Sequence, residues 1–144
     1  MKALVVGSGG REHALSWKLA ASRADEKVNV APGNAGTARE QKVENTPIAS
    51  ADIDSLAEFV ENKNIDLTVV GPETPLVNGI TDRLRLLNRS CLGPTQSAAK
   101  LEGSKAFAKS FMKRHQIPTA QYQIFDNTGK ALSHARKMGL PLVI

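Results

Sequence analysis

The chain reads as an α/β protein, a doubly wound and mainly parallel sheet followed by the start of a second domain. Three observations lead there. Short apolar runs alternate with longer amphipathic ones, each early apolar run closes in a Gly or Pro signal, and a glycine-rich turn directly follows the first run. Alternation of this kind is what a parallel sheet wrapped by helices requires, because each crossover helix must return the chain to the same end of the sheet.

The first strand is expected over 3–6, Ala3-Leu4-Val5-Val6, and the turn Gly7-Ser8-Gly9-Gly10-Arg11-Glu12-His13 hands it to a helix from Arg11 to Ala21. Backbone N–H groups and the helix dipole favour an anion at such a turn, so a phosphate-bearing small molecule is expected there. A second strand over 28–31 stops at Pro32-Gly33. Asp52 is placed to cap a helix from Asp54 to Asn62, since its side chain can accept from first-turn amides. Strand 67–70 ends in Gly71-Pro72, a helix follows from Leu76 to Leu87, and the pair Cys91-Leu92 ends in Gly93-Pro94. All these breaks fall at carboxyl ends of strands, where ligands collect in a doubly wound sheet.

After Thr95 the character changes. Ser97 to Arg114 reads as one Ala- and Lys-rich helix, followed by a short run from Tyr122 to Phe125, a turn at Asp126-Asn127-Thr128-Gly129, a helix to Met138 and a closing apolar strand to Ile144. The expected division is an N-terminal α/β domain over 1–96 and the truncated beginning of a second domain over 97–144. A strand that stops in mid-run with no turn after it suggests a cut sequence.

Composition narrows the function classes. The 144 residues carry a formal net charge of +5, concentrated only between Lys100 and Arg114, and aromatic residues are few. Phe107 and Phe111, four residues apart, read as the apolar side of a helix, so a nucleic-acid surface is not expected. No apolar stretch approaches the ~20 residues of a membrane helix. With no signal pattern at the start, a cytoplasmic location is the default expectation. The single cysteine, Cys91, reads as a buried strand residue rather than a nucleophile.

A dinucleotide site can be tested against spacing. In G-x-G-x-x-G the third glycine allows close packing of helix on strand, but here Gly7 and Gly9 are followed at that position by Glu12. The second strand also ends in Ala31-Pro32-Gly33 where an acidic residue would hold a ribose, so a nicotinamide oxidoreductase is disfavoured. Arg11 can instead fork onto a phosphate, and Glu12 can accept from hydroxyls or an amine. His13 has no second ligand at metal spacing and reads as a packed or capping residue. Glu73, held between Pro72 and Pro75, is a second carboxylate at the same rim, and the loop Pro32-Gly33-Asn34-Ala35-Gly36-Thr37 is a third turn there.

These segments, together with Gly71-Pro72-Glu73, Pro75-Leu76, Gly79 and Leu101-Glu102-Gly103-Ser104-Lys105, resemble the glycinamide ribonucleotide synthetases, ligases of the ATP-grasp superfamily. The resemblance runs through the whole chain. It implies a Rossmann-like domain ahead of an ATP-grasp domain, and an ATP-dependent reaction of purine biosynthesis that joins glycine to 5-phosphoribosylamine through a glycyl phosphate. By position it implies that Gly9, Gly10, Arg11, Glu12 and Glu73 line the phosphoribosylamine pocket and that Lys105 contacts the nucleotide. ATP and Mg2+ would serve the full-length protein, whose catalytic residues and metal ligands lie beyond Ile144, so the 144-residue chain alone is expected to be inactive. Partners would be small molecules only, with no nucleic acid and no membrane, and the oligomeric state is left open. A non-catalytic phosphosugar-binding module and another ATP-grasp carboxylate–amine ligase remain as alternatives.

Overall fold

The computed structural model describes residues 1–23 and 27–143. Contacts divide them into two units, Met1–Gly103 and Ser104–Ile144, each of which is described by itself.

The first unit is a five-stranded sheet in which every pairing is parallel. Its strands are β1 (Lys2–Gly7), β2 (Lys27–Pro32), β3 (Val43–Asn45), β4 (Leu67–Val70) and β5 (Cys91–Leu92), in the order β3-β2-β1-β4-β5. Alternate residues of β1 serve opposite faces, as strand geometry demands. Ala3 and Val5 join Val28, Val30 and Val69 in a core completed by Ala20, Leu15 and Leu19 of helix α1 (Gly10–Ala20). Leu4 and Val6 face the other way, toward Leu56, Ala57 and Val60 of α2 (Ile53–Asn62) and Ile80 and Leu84 of α4 (Ile80–Leu86). Burial on both faces explains why β1 is a continuous apolar run and why β2 and β4 are largely apolar, with Asn29 and Thr68 buried among their apolar neighbours.

Asp52 caps α2, accepting from the Ser55 amide at 3.1 Å, as expected. The helix expected from Leu76 to Leu87 is two helices, α3 (Glu73–Val77) and α4. Gly79 separates them with φ of 89°, a left-handed backbone that ends one helical run before the next begins. Strand β3 was not expected at all. Its three residues, Val43, Glu44 and Asn45, carry too little apolar pattern to announce a strand, and its place comes from pairing with Val28 to Val30.

The boundary of the first unit lies beyond 96. Helix α5 (Gln96–Gly103) is anchored to it: the Gln96 amide donates to Asp82 of α4 at 2.6 Å, the Gln96 side chain donates to the Val77 carbonyl at 2.9 Å, and Ala99 is buried in the core. The single helix expected from Ser97 to Arg114 breaks at Ser104, whose hydroxyl accepts from the Phe107 amide and caps α6 (Lys105–Arg114).

Within the second unit, α6 and α7 (Thr128–Met138) have no buried residue. Phe107 is exposed rather than part of a covered apolar side, and Phe111 lies against His115. The run Tyr122 to Phe125 is not a strand; Lys109 holds the preceding segment through Thr119 and the Ala120 carbonyl. Residues 139–143 form no strand either, Leu140 and Val143 being largely exposed, and Ile144, the last residue of the strand expected there, lies outside the described residues. An apolar run is strand-like only where another strand pairs with it.

One core feature generates a prediction. The Thr68 hydroxyl, between Leu4 and Cys91 in the sheet, is fully buried with no hydrogen-bond partner among the described residues. Thr68→Val removes the orphan at nearly constant volume and is expected to raise unfolding free energy by about 1 kcal/mol; urea denaturation of both proteins measures it, and a loss of stability would show that the hydroxyl is satisfied.

Candidate functional site

The chain leaves β1 toward β2 on one side and reaches β4 on the other, so the strand order reverses between β1 and β4. Ligands of doubly wound sheets bind in the crevice outside the carboxyl ends at this point. Two turns flank it, Gly7–Gly10 after β1 and Gly71–Glu73 after β4.

Glu12 is the centre of this crevice. It belongs to the first turn of α1, and its side chain folds back to the helix start, where Oε2 accepts from the Gly9 amide at 2.8 Å. Oε1 accepts from Arg11 Nε at 2.8 Å. The residue is only 4% exposed, so a carboxylate that the sequence placed facing a ligand is turned beneath the rim. Three glycines make the space. A Cβ at Gly71 would lie 2.0 Å from Glu12 Oε1, one at Gly7 would lie 2.5 Å from its Cγ, and one at Gly9 would lie 2.8 Å from Oε2. Burial on its own pushes the Glu12 carboxyl up, but the hydrogen bonds from Arg11 and Gly9, with the Arg11 charge and the Glu12 backbone amide, hold the group below the usual carboxylate range. The same hydrogen bond raises Arg11, with help from the more distant charges of Glu102 and Glu73.

Arg11 and Glu73 are exposed at the rim, Glu73 as the first residue of α3. Gly10, the first residue of α1, has open space where a side chain would stand. The five residues expected to form a substrate pocket are therefore brought to one end of the sheet, four along the surface and Glu12 below it. Glu102 of α5, in the Leu101-to-Lys105 segment, acts on Arg11 through its charge. Lys105 is exposed at the start of α6 in the second unit, following the Ser104 cap.

The loop after β2 is built as a polar network. Asn34 Oδ1 accepts from the amides of Gly36 and Thr37 at 2.7 and 3.0 Å, while its Nδ2 donates to the Ser8 carbonyl at 2.9 Å and so ties this loop to the glycine turn. The Thr37 hydroxyl, fully buried, donates to Asn45 Oδ1 at the end of β3 or to the Asn34 carbonyl, and Asn45 Nδ2 also donates to that carbonyl. His13 packs on Gly36 and pairs with Glu40 at 2.8 Å, which agrees with its reading as a packed residue. Asn45 and Glu40 carried no sequence signal, because each acts only on residues that the fold brings near.

Cys91 is half-buried, close to the Thr81 hydroxyl, and burial pushes its thiol up, as for a structural cysteine. Among the described residues no group of three potential metal ligands occurs and no helix is long and apolar enough to cross a membrane.

The parallel sheet with a candidate ligand crevice at its switch point defines a class, a doubly wound α/β domain, followed here by a second unit that opens on a capped helix. Solved structures share that fold. The chain superposes on phosphoribosylglycinamide synthetase from Anaerococcus prevotii with a TM-score of 0.62 at 19% identity, covering 97% of this chain and 35% of that one. The biotin carboxylase domain of the Hydrogenobacter thermophilus 2-oxoglutarate carboxylase gives a TM-score of 0.70 at 16% identity, covering 97% and 33%. Residues 1–102 match the family model of the phosphoribosylglycinamide synthetase N domain, and 103–144 match that of its ATP-grasp (A) domain. The chain belongs to the phosphoribosylglycinamide synthetase family. The phosphoribosylamine–glycine ligases of Pseudomonas putida and Escherichia coli K12 are 56% and 55% identical to it over 144 residues, all of this chain and 33% and 34% of theirs. The chain thus spans about a third of the length of the curated relatives it matches.

The cradle predicts a contrast between two glycines of the site. Gly71→Ala drives a methyl group into the buried carboxylate and is expected to cost about 2–3 kcal/mol of stability, whereas Gly10→Ala meets nothing and gains helix propensity, leaving stability unchanged or up to about 1 kcal/mol higher. Thermal or urea unfolding of the two variants tests this; equal effects would show that Glu12 can leave the crevice freely.

Proposed function

We propose that this chain is the substrate-binding N domain, with the opening of the ATP-grasp domain, of a cytoplasmic ligase that joins glycine to 5-phosphoribosylamine in purine biosynthesis. The match of the whole chain, domain by domain, to one ligase family carries the proposal. In the reaction proposed for the full-length ligase, the carboxylate of glycine takes a phosphoryl group from ATP, and the amine of phosphoribosylamine attacks the resulting glycyl phosphate and releases phosphate.

The rim formed by Gly9, Gly10, Arg11 and Glu73 is proposed as the phosphoribosylamine surface, with Glu12 as its support. Arg11 supplies a planar cation suited to a phosphate oxygen, and Glu73 supplies an acceptor for ribose hydroxyls or the reacting amine. Lys105 is proposed to meet the phosphates of ATP. The described residues do not fit a magnesium site, since no three potential ligands come together among them. The ligase chemistry is therefore assigned to the full-length protein, and the 144-residue chain alone is expected to release no phosphate from ATP when given glycine and phosphoribosylamine.

Two substitutions in the full-length ligase test these roles. Glu73→Ala is expected to lower kcat/KM for phosphoribosylamine about tenfold or more, the size of one lost charge-assisted hydrogen bond; steady-state kinetics with phosphoribosylamine varied would reject the role if unchanged. Lys105→Ala is expected to raise KM for ATP severalfold with little change in that for glycine, as an ammonium near phosphate predicts. A solvated lysine would alter neither.

A further inference from the structure

Glu12 stands where the third glycine of a dinucleotide turn would stand, and its side chain returns into the space such a turn keeps for phosphate. The Gly9 amide, which would donate to a phosphate oxygen, donates to Glu12 Oε2 at 2.8 Å. Arg11 Nε is engaged by Oε1 at the same distance, and Gly7 at the end of β1 and Gly71 just after β4 close on the side chain, so that a Cβ at either position would displace the Glu12 carboxylate. We propose that Glu12 is an internal anion occupying the phosphate place of the first βα turn, so that it closes the turn to outside phosphates and holds Arg11 at the rim as the group that meets the substrate.

The expectation of a phosphate bound at the glycine turn is thereby relocated. An N-terminal helix dipole and a turn amide that favour negative charge are satisfied from within the chain, and a substrate phosphate is left to the exposed end of Arg11. Glu12 is thus a positioning and specificity-determining residue, not a substrate contact. The charged groups that act on the pair are Arg11 itself beside Glu12, with Glu73 of α3 and Glu102 of α5 acting on Arg11, while Gly7 at the end of β1 and Gly71 just after β4 lie against the carboxylate. The assignment relies on the ligase reading only for the identity of the molecule that Arg11 meets.

The test uses the 144-residue chain, inorganic phosphate and acetate as probes, and the amide signals of Gly9 and Gly71 with the Arg11 Nε–H signal by NMR. In the wild type, millimolar phosphate is expected to leave the Gly9 and Gly71 signals in place. Glu12→Ala empties the cradle, and both anions are then expected to bind at least tenfold more tightly than in the wild type, to shift the Gly9 amide and to raise Tm. Glu12→Gln fills the space without charge and is expected to fold and to show no such response. A further arm needs no folded alanine variant. Because the Glu12 carboxyl lies below its usual value, the ionised contact is complete above about pH 4.5 and is lost as pH falls through the folded value; the Gly9 and Arg11 signals should follow that step in the wild type and not in Glu12→Gln. Phosphate that shifts the wild-type Gly9 amide as tightly as it does the Glu12→Ala amide, a folded Glu12→Ala with no anion response, or a Gly9 amide blind to acid would each overturn the proposal. If these results fail while Glu73→Ala still impairs phosphoribosylamine use, the internal anion is removed and the ligase reading stands; the opposite pattern removes the ligase reading alone.

Discussion

A carboxylate wedged among three glycines is the constraint on which the ligand-binding end of this domain depends. Glu12 must be charged to hold Arg11 and the Gly9 amide, and it must be buried to lie between β1 and β4. Those requirements oppose each other, since taking an unpaired charge out of water is costly. The structure reconciles them with two directed hydrogen bonds and by removing the side chains at Gly7, Gly9 and Gly71 that would compete for the space. The glycines of the turn are thus explained by a neighbouring side chain rather than by the approach of a nucleotide.

A second polar network continues the same end of the sheet. Asn34 organises the connection between β2 and β3, which carries a single turn of 3-10 helix at Thr37–Arg39, and its link to the Ser8 carbonyl ties this loop to the glycine turn. Thr37 and Asn45 fix the loop from below, through a strand of three residues at the sheet edge. Rim positions such as Arg11 and Glu73 are exposed, yet they project from backbone held by buried groups, which is how a binding surface keeps its geometry without its ligand. The second unit differs in kind. Its helices have caps and ring contacts but no buried residue, so its order rests on local hydrogen bonds such as those of Ser104, Asn127 and Lys109.

Four of the five strands and the capped helix α2 were legible because short, largely apolar runs that close in Gly or Pro and an N-cap are local signals. The break at Gly79 was visible as a residue but not as an event, since glycine inside a helix is tolerated as often as it ends one. Strand β3 left almost no mark, and the boundary of the first unit was misplaced because Gln96 and Ala99 belong to it through contacts with Asp82, Val77 and the core that no local pattern shows.

The sequence by itself determined the α/β class and the order of turns along one sheet edge, both of which follow from spacing along the chain, while the four ordered motifs carried a resemblance to one ligase family that the family models bear out. Which side of the rim Glu12 occupies was decided only by tertiary structure. Its partners span Gly7 to Gly71, and the carboxylate meets a glycine wall only because the parallel pairing of β1 with β4 sets Gly71, far from Glu12 in sequence, beside the end of β1.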